Sequence, residues 1–161
     1  MTSFSDLLRL HRDLDDFFLE HQRALLRLNL ERASEVLDRY ERDLLAHIGD
    51  EENFMMPLYR QRANAPTGGA PEIFEGEHEK LRQFLMLFRA ELEKLKWVDD
   101  LERGILFLID SQHLFKRLLV HHDTREKKFL YPLLDEVTTE VERQSILEKL
   151  ELQPIRRNVA A

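Results

Sequence analysis

The sequence predicts an all-α protein, an up-down-up-down antiparallel four-helix bundle followed by a short C-terminal fifth helix. Three observations carry this. Only five Gly and five Pro occur in 161 residues, and the stretches between them are rich in Leu, Glu, Arg and Lys, a helix-forming composition. Apolar residues recur at three-to-four spacing over runs of about 25 residues, each roughly 38 Å long as a helix. The connections between runs are mostly short, which makes successive helices antiparallel neighbours.

Helix one is expected from Ser5 to Leu28 on Leu7, Leu8, Leu14, Phe17, Phe18, Leu25 and Leu28. Asn29 marks a turn, and Val36, Leu37, Tyr40, Leu44, Leu45 and Ile48 carry helix two from about Glu31 to Tyr59. The segment NAPTGGAP, Asn64 to Pro71, is the strongest breaker and reads as a crossing loop. Helix three comes next, from about Glu72 to Lys96 on Phe74, Leu81, Leu85, Phe88, Leu92 and Leu95, with Pro71 suited to its entry. Asp99 or Asp100 caps helix four, which carries Leu101, Ile105, Leu108, Leu114, Phe115, Leu118 and Leu119 and is expected to end near Pro132. Thr139 to Glu142 is a capping box for the fifth helix, ending near Leu152. This describes one bundle domain over residues 1–153 and a loose tail over 154–161.

Composition narrows the function. A net charge of −7 without a clear basic block argues against a nucleic-acid surface. The absence of cysteine removes disulfides, thiolate metal sites and cysteine nucleophiles, so any metal must be held by His and carboxylates. No basic start followed by an apolar run opens the chain, and no run of about 18 apolar residues occurs in it. The expectation is a cytoplasmic protein without membrane or nucleic-acid partners.

The chemistry lies in a repeated segment. HIGDEENFMMPL, from His47, and HDTREKKFLYPL, from His122, align without a gap at an offset of 75, with five of twelve positions identical. The shared positions include His and, four residues on, Glu. That spacing stacks His47 over Glu51 and His122 over Glu126, about 5 to 6 Å apart on one helix face. The face continues through Leu44 and Phe54 in one helix and Leu119 and Phe129 in the other, which points the polar pairs into the core. Buried imidazole and carboxylate without partners cost several kcal/mol, roughly, so a compensating ion or hydrogen bonds are required.

The other helices should contribute at the same level. Reflection through a turn near residue 30 carries the midpoint of His47 and Glu51 onto His11, with His21 as the rival; reflection through residues 98 to 100 carries His122 to within a turn of His78. The candidate metal ligands are therefore His11, His47, Glu51, His78, His122 and Glu126. Four imidazoles, two carboxylates and no thiolate suit iron best, with manganese and adventitious zinc as alternatives. Six donors including two bridging-capable carboxylates suggest two ions. If both glutamates and a solvent oxygen bridge them, each ion has five ligands and one open position, suited to a small molecule or to redox chemistry.

The residues resemble the hemerythrin-like, or HHE cation-binding, family, through a histidine in helix one, HxxxE at His47 and Glu51, EH at Glu77 and His78, and HxxxE at His122 and Glu126. The resemblance spans about residues 5 to 135. It implies a non-haem di-iron site and a ligand such as oxygen or nitric oxide, with carriage, sensing, iron handling and iron-centre repair all represented among relatives. Oxygen carriers of the family have a second histidine where this chain has Arg82, and HxxxxD where this chain has Lys127. The four-His, two-Glu set looks more like bacterial proteins linked to iron-centre repair, whose cysteine-bearing segment has no counterpart here. A di-iron redox enzyme and a metal-free helical interaction module are the alternatives.

The remaining histidines are assigned structural roles. His21 is expected in the core, bonded to a carboxylate or Tyr40; His113 and His121 are expected off the site face. Trp97 is expected to plug the bundle end, and Met55, Met56 and Met86 to fill the core. Glu52, Glu75 and Glu79 are candidate acceptors behind the ligands, with solvated surface as the default reading.

Overall fold

The computed structural model describes residues 1–154. Ser3 opens it with a capping box: its Oγ accepts from Ser5 N–H, and the Asp6 carboxylate accepts from Ser3 N–H. A 3₁₀ turn, Phe4–Leu7, leads into α1, Leu8–Leu26. Helix α2, Leu30–Asp50, starts at Asn29, whose side chain accepts from Arg32 N–H as an N-cap does. Between them Asn29 N–H donates to Ala24 C=O and Leu28 N–H to Leu25 C=O, the paired bonds of a Schellman end. Its left-handed position is taken by Leu28, at φ 56°. A Cβ there costs roughly 1–2 kcal/mol that glycine avoids. Leu28→Gly is therefore expected to raise stability by about 1 kcal/mol, as a higher urea midpoint.

Helix α2 passes through a π turn, Glu51–Met55, into α3, Met56–Arg62. After the crossing loop come α4, Pro71–Lys94, and α5, Leu101–Arg125, capped by Asp100. Helix α5 likewise passes through a π turn, Glu126–Leu130, into α6, Tyr131–Val137. Thr139 caps α7, Glu140–Lys149, with Glu142 completing the capping box as expected. No strand occurs among the described residues. Helix α1 packs on α2, α2 on α4, α4 on α5 and α5 on α1, the circuit of an up-down-up-down bundle. None of the helices is long and apolar enough to cross a membrane.

The π turns correct two expectations. In each, an N–H reaches back five residues, Met56 to Glu51 C=O and Tyr131 to Glu126 C=O. Pro57 and Pro132 come directly after; neither has an N–H, and each ring crowds the carbonyl four residues back, which favours a wider turn. Helix four thus continues past Pro132 to Val137 instead of ending there. The extra residue also rotates the next helical segment by about 100°. Met55 and Leu130 take the buried positions, and Phe54 and Phe129 sit only half-buried.

Two apolar clusters fill the bundle. One centres on Phe18, Tyr40, Phe88 and Phe115. The other gathers Phe4, Leu7, Met55, Tyr59, Phe74 and Leu134 at the opposite end. The Asp50 carboxylate accepts from the N–H groups of Glu151 and Leu152 at 3.0 Å, tying the segment after α7 to α2. Met55 and Met56 are core residues, but Met86 and Trp97 are 71% and 83% exposed, so neither fills the core nor plugs the bundle end. Leu95, in the 3₁₀ turn Leu95–Trp97, closes that end instead. Apart from Pro154, the expected tail lies outside the described residues.

Candidate metal centre

Where the two apolar clusters meet, the four long helices turn polar groups inward. His11 of α1, His47 of α2, His78 of α4 and His122 of α5 are buried, with Glu51 and Glu126 at the first positions of the two π turns. All six sequence-predicted ligands therefore lie at one level. His21 is elsewhere: its Nδ1 faces Ala33 C=O at 2.8 Å and its Nε2 faces the Gln112 amide at 2.9 Å. It is the core imidazole expected, but its partners are a carbonyl and an amide, not a carboxylate or Tyr40, because α1 places it a level away, beside Phe18.

The donor atoms fall into two halves. In the first, His11 Nε2 and His47 Nε2 are 3.0 Å apart, with Glu126 Oε2 3.1 Å from the former and Glu51 Oε1 3.6 Å from the latter. In the second, Glu51 Oε2 is 3.1 Å from His78 Nε2 and Glu126 Oε1 is 2.8 Å from His122 Nε2. Each glutamate thus offers one oxygen to each pair of histidines. The donor atoms of Glu51, His78, His122 and Glu126 lie within 4.8 Å of one another, as do those of His11, His47 and Glu126.

Hydrogen bonding alone does not satisfy this cluster. Glu51 Oε2, His78 Nε2 and both oxygens of Glu126 are buried without a hydrogen-bond partner. Buried polar atoms are normally partnered, and four orphans facing one another fit bound cations. The chain matches the hemerythrin HHE cation binding domain over residues 2–134. It belongs to that family. No curated protein and no solved structure gave a match.

The HHE domain supplies two supports, of which the sequence reading missed Glu77 and set Glu52 aside as surface by default. Glu77 accepts from Arg125 Nε at 2.8 Å and meets His122 Nδ1 at 2.9 Å. Glu52 meets His78 Nδ1 at 3.1 Å and accepts from Arg82 at 2.6 Å. Glu52 is therefore not solvated surface, although Glu75 and Glu79 are exposed as expected. The outer nitrogens of both histidines in the second half are held by a carboxylate backed by an arginine, which fixes ring orientation and tautomer. Arg82, four residues after His78, acts through Glu52 from outside the cluster. The EH pair at Glu77 was the available signal; its partner, 45 residues away, could not be read from the sequence. His113 and His121 are exposed, off the site as expected.

Glu77→Ala is expected to weaken metal binding about 10–100-fold while leaving saturation stoichiometry unchanged, as measured by competition with a chelator. Glu79→Ala should leave affinity intact.

Without metal, burial sets the protonation of the site. Desolvation, reinforced by His47, lowers His11 to about 3, and desolvation also lowers His47. Burial opposes charge on His122 too, but Glu126 and Glu77 outweigh it and hold His122 well above its ordinary value. Desolvation and then the Glu51 charge push Glu126 well up. For Glu77, burial raises the carboxyl, yet His122 and Arg125 together keep it below its usual value. Without metal, burial therefore disfavours charge on His11, His47 and Glu126, while the neighbouring carboxylates favour charge on His122.

A narrow cavity reaches the cluster between α1, α2 and α5. It touches His11, His47 and His122, is walled by Leu14, Leu44 and Leu119, and has room for about one water. Asp15 and Asp123 border it, and burial raises both carboxyls, Asp123 to about 7.

Proposed function

We propose that this HHE domain holds two iron ions, one on His11 and His47 and one on His78 and His122, bridged by Glu51 and Glu126, and binds or senses a small ligand such as oxygen or nitric oxide. The observation that carries the reading is the division of each carboxylate between the two histidine pairs. A single-ion site on His78 and His122 would use Glu51 Oε2 and Glu126 Oε1; Glu51 Oε1 would keep the Tyr131 phenol, but Glu126 Oε2 would stay in the core without a hydrogen-bond partner. Manganese or zinc would fit the same donors, and iron is preferred because imidazole with carboxylate and no thiolate suits it. When bound there, a pair of irons would supply electrons and an open coordination position to a diatomic molecule.

The chain's part is to shape and protect that site. Glu52 and Glu77 orient His78 and His122 from behind, so these rings meet their ion without reorganising. The leucine-walled cavity admits something of the size of one water, which suits a diatomic ligand better than a larger substrate. A metal-free interaction module would leave the orphaned carboxylate oxygens unexplained.

The test is anaerobic reconstitution with ferrous iron, elemental analysis, then an optical spectrum before and after oxygen or nitric oxide. Two irons per chain with a ligand-dependent spectrum are expected. At most one iron per chain, or a spectrum indifferent to both gases, would sink the reading.

A further inference from the structure

The two halves of the cluster are not equivalent. In the repeat that relates His47 to His122 and Glu51 to Glu126, the residue five positions after each glutamate is Met56 in one copy and Tyr131 in the other. Both come directly after a π turn, and both are buried. A phenol oxygen is a hard donor suited to iron, whereas a thioether is soft and is not. Tyr131 Oη is 2.7 Å from Glu51 Oε1 and 3.2 Å from His11 Nε2.

The first contact is an ordinary hydrogen bond in which the phenol donates to the carboxylate. The second is not explained by it. His11 Nε2 has three polar neighbours, His47 Nε2 at 3.0 Å, Glu126 Oε2 at 3.1 Å and Tyr131 Oη at 3.2 Å. A ring nitrogen bears either one proton or one in-plane lone pair, so it makes one directed hydrogen bond and cannot serve all three. Separations near 3 Å are those of adjacent donors around a shared ion, since metal bonds of about 2.1 Å at right angles put their ends about 3 Å apart.

We propose that Tyr131 Oη is a further protein ligand to the ion on His11 and His47, filling the position that the other ion keeps open. The inference rests on the two-ion reading above. It makes the two ions unequal. On ligation the phenol O–H bond is replaced by an oxygen–metal bond and the proton leaves to solvent; no electron is transferred.

The experiment uses the full chain loaded with ferrous iron and oxidised with ferricyanide, read by elemental analysis, visible absorption and resonance Raman. Two irons per chain and a phenolate-to-ferric charge-transfer band with tyrosine ring modes are expected. Tyr131→Phe should keep both irons and lose the band completely. The sequence has three tyrosines, so Tyr59→Phe, altered at a phenol that donates to Gly69 C=O, should keep it. Should Tyr131→Phe fail to fold, ring-deuterated tyrosine in the parent chain tests for a phenolate ligand through the Raman modes, and the band's survival in both Tyr40→Phe and Tyr59→Phe assigns it to Tyr131. Two irons without any phenolate band would overturn the role of Tyr131 while leaving the two-ion centre standing. Survival of the band in Tyr131→Phe, or its loss in Tyr40→Phe, would do the same. Failure to bind iron would defeat the centre itself, and with it the ligand.

Discussion

Glu126→Gln is expected to lower metal affinity by more than the roughly 100-fold upper range seen for residues that only support a ligand, and to reduce saturation from two ions toward one or none. Glu126 is the residue whose oxygens meet both halves most closely, Oε2 at 3.1 Å from His11 and Oε1 at 2.8 Å from His122. The amide keeps the volume but removes the charge and one of the two bridging oxygens. The metal-free variant should fold at least as well as the parent, because burial already disfavours the Glu126 carboxylate and Glu51 repels it. Glu51→Gln should behave similarly toward metal. Glu79→Gln, on an exposed stretch of α4, is the control, whereas Glu52 is unsuitable because it holds His78. Equal losses in Glu126→Gln and Glu79→Gln by elemental analysis would refute the assignment of Glu126 to the centre.

Metal loading should stabilise the fold strongly at neutral pH and progressively less in acid. At about 100 times the dissociation constant, preferential binding to the folded chain contributes roughly 2.7 kcal/mol. At roughly 2–4 °C per kcal/mol for a domain of this size, the melting temperature should rise by about 5–11 °C. The pH dependence is set by which groups hold protons in the metal-free site. His122 and Glu126 are both raised by the fold, so the pair holds a proton further up the pH scale and must release it to bind. His11, lowered to about 3, has no proton to release at neutral pH. Binding should therefore release protons, detectable by calorimetry in buffers of different ionisation heat, and affinity should rise with pH through the neutral range.

His11 and His47 also act on the metal-free fold. Between about 3 and the ordinary value of 6.5 the unfolded chain holds the His11 proton and the folded one does not, so this group's contribution favours folding less as pH falls. His122 acts oppositely: its raised folded value contributes stability that is complete below the unfolded value and is lost as pH rises through the folded one. The metal-free melting curve should consequently vary with pH less than the loaded one. His11→Ala should shrink the metal-induced rise, and His113→Ala, on an exposed position, should leave it intact. Identical increments in the two variants, or none in the parent, would remove His11 from the centre.

Much of this protein was legible in one dimension because the signals are local. The three-to-four period of apolar residues, the turn at Asn29 and the caps at Asp99 or Asp100 and at Thr139 depend on neighbours within a few turns, and the starts of α2, α5 and α7 agree with them. The spacing of four in the two HxxxE segments placed each His over its Glu before any packing was known. Short antiparallel connections carried the same level across to His11 and His78, which the bundle brings beside the other four.

What the sequence did not disclose depends on contacts between helices, or on a local change of period. The shift from Phe54 to Met55 and from Phe129 to Leu130 comes from the π turns ahead of Pro57 and Pro132, where the regular period no longer applies. Tyr131, Glu77 and Glu52 have roles set by neighbours far along the chain: Glu51 is 80 residues from Tyr131, His122 is 45 from Glu77, and His78 is 26 from Glu52. Trp97 and Met86 look like core by residue type, yet they lie on the outside of their turns and remain exposed. By itself the sequence determined the helices, their order and the six inward donors, because periodicity and spacing are properties of a single helix. The pairing of those donors across two carboxylates, the supports behind them and the phenol beside His11 were decided only by tertiary structure, which sets distances between atoms on different helices.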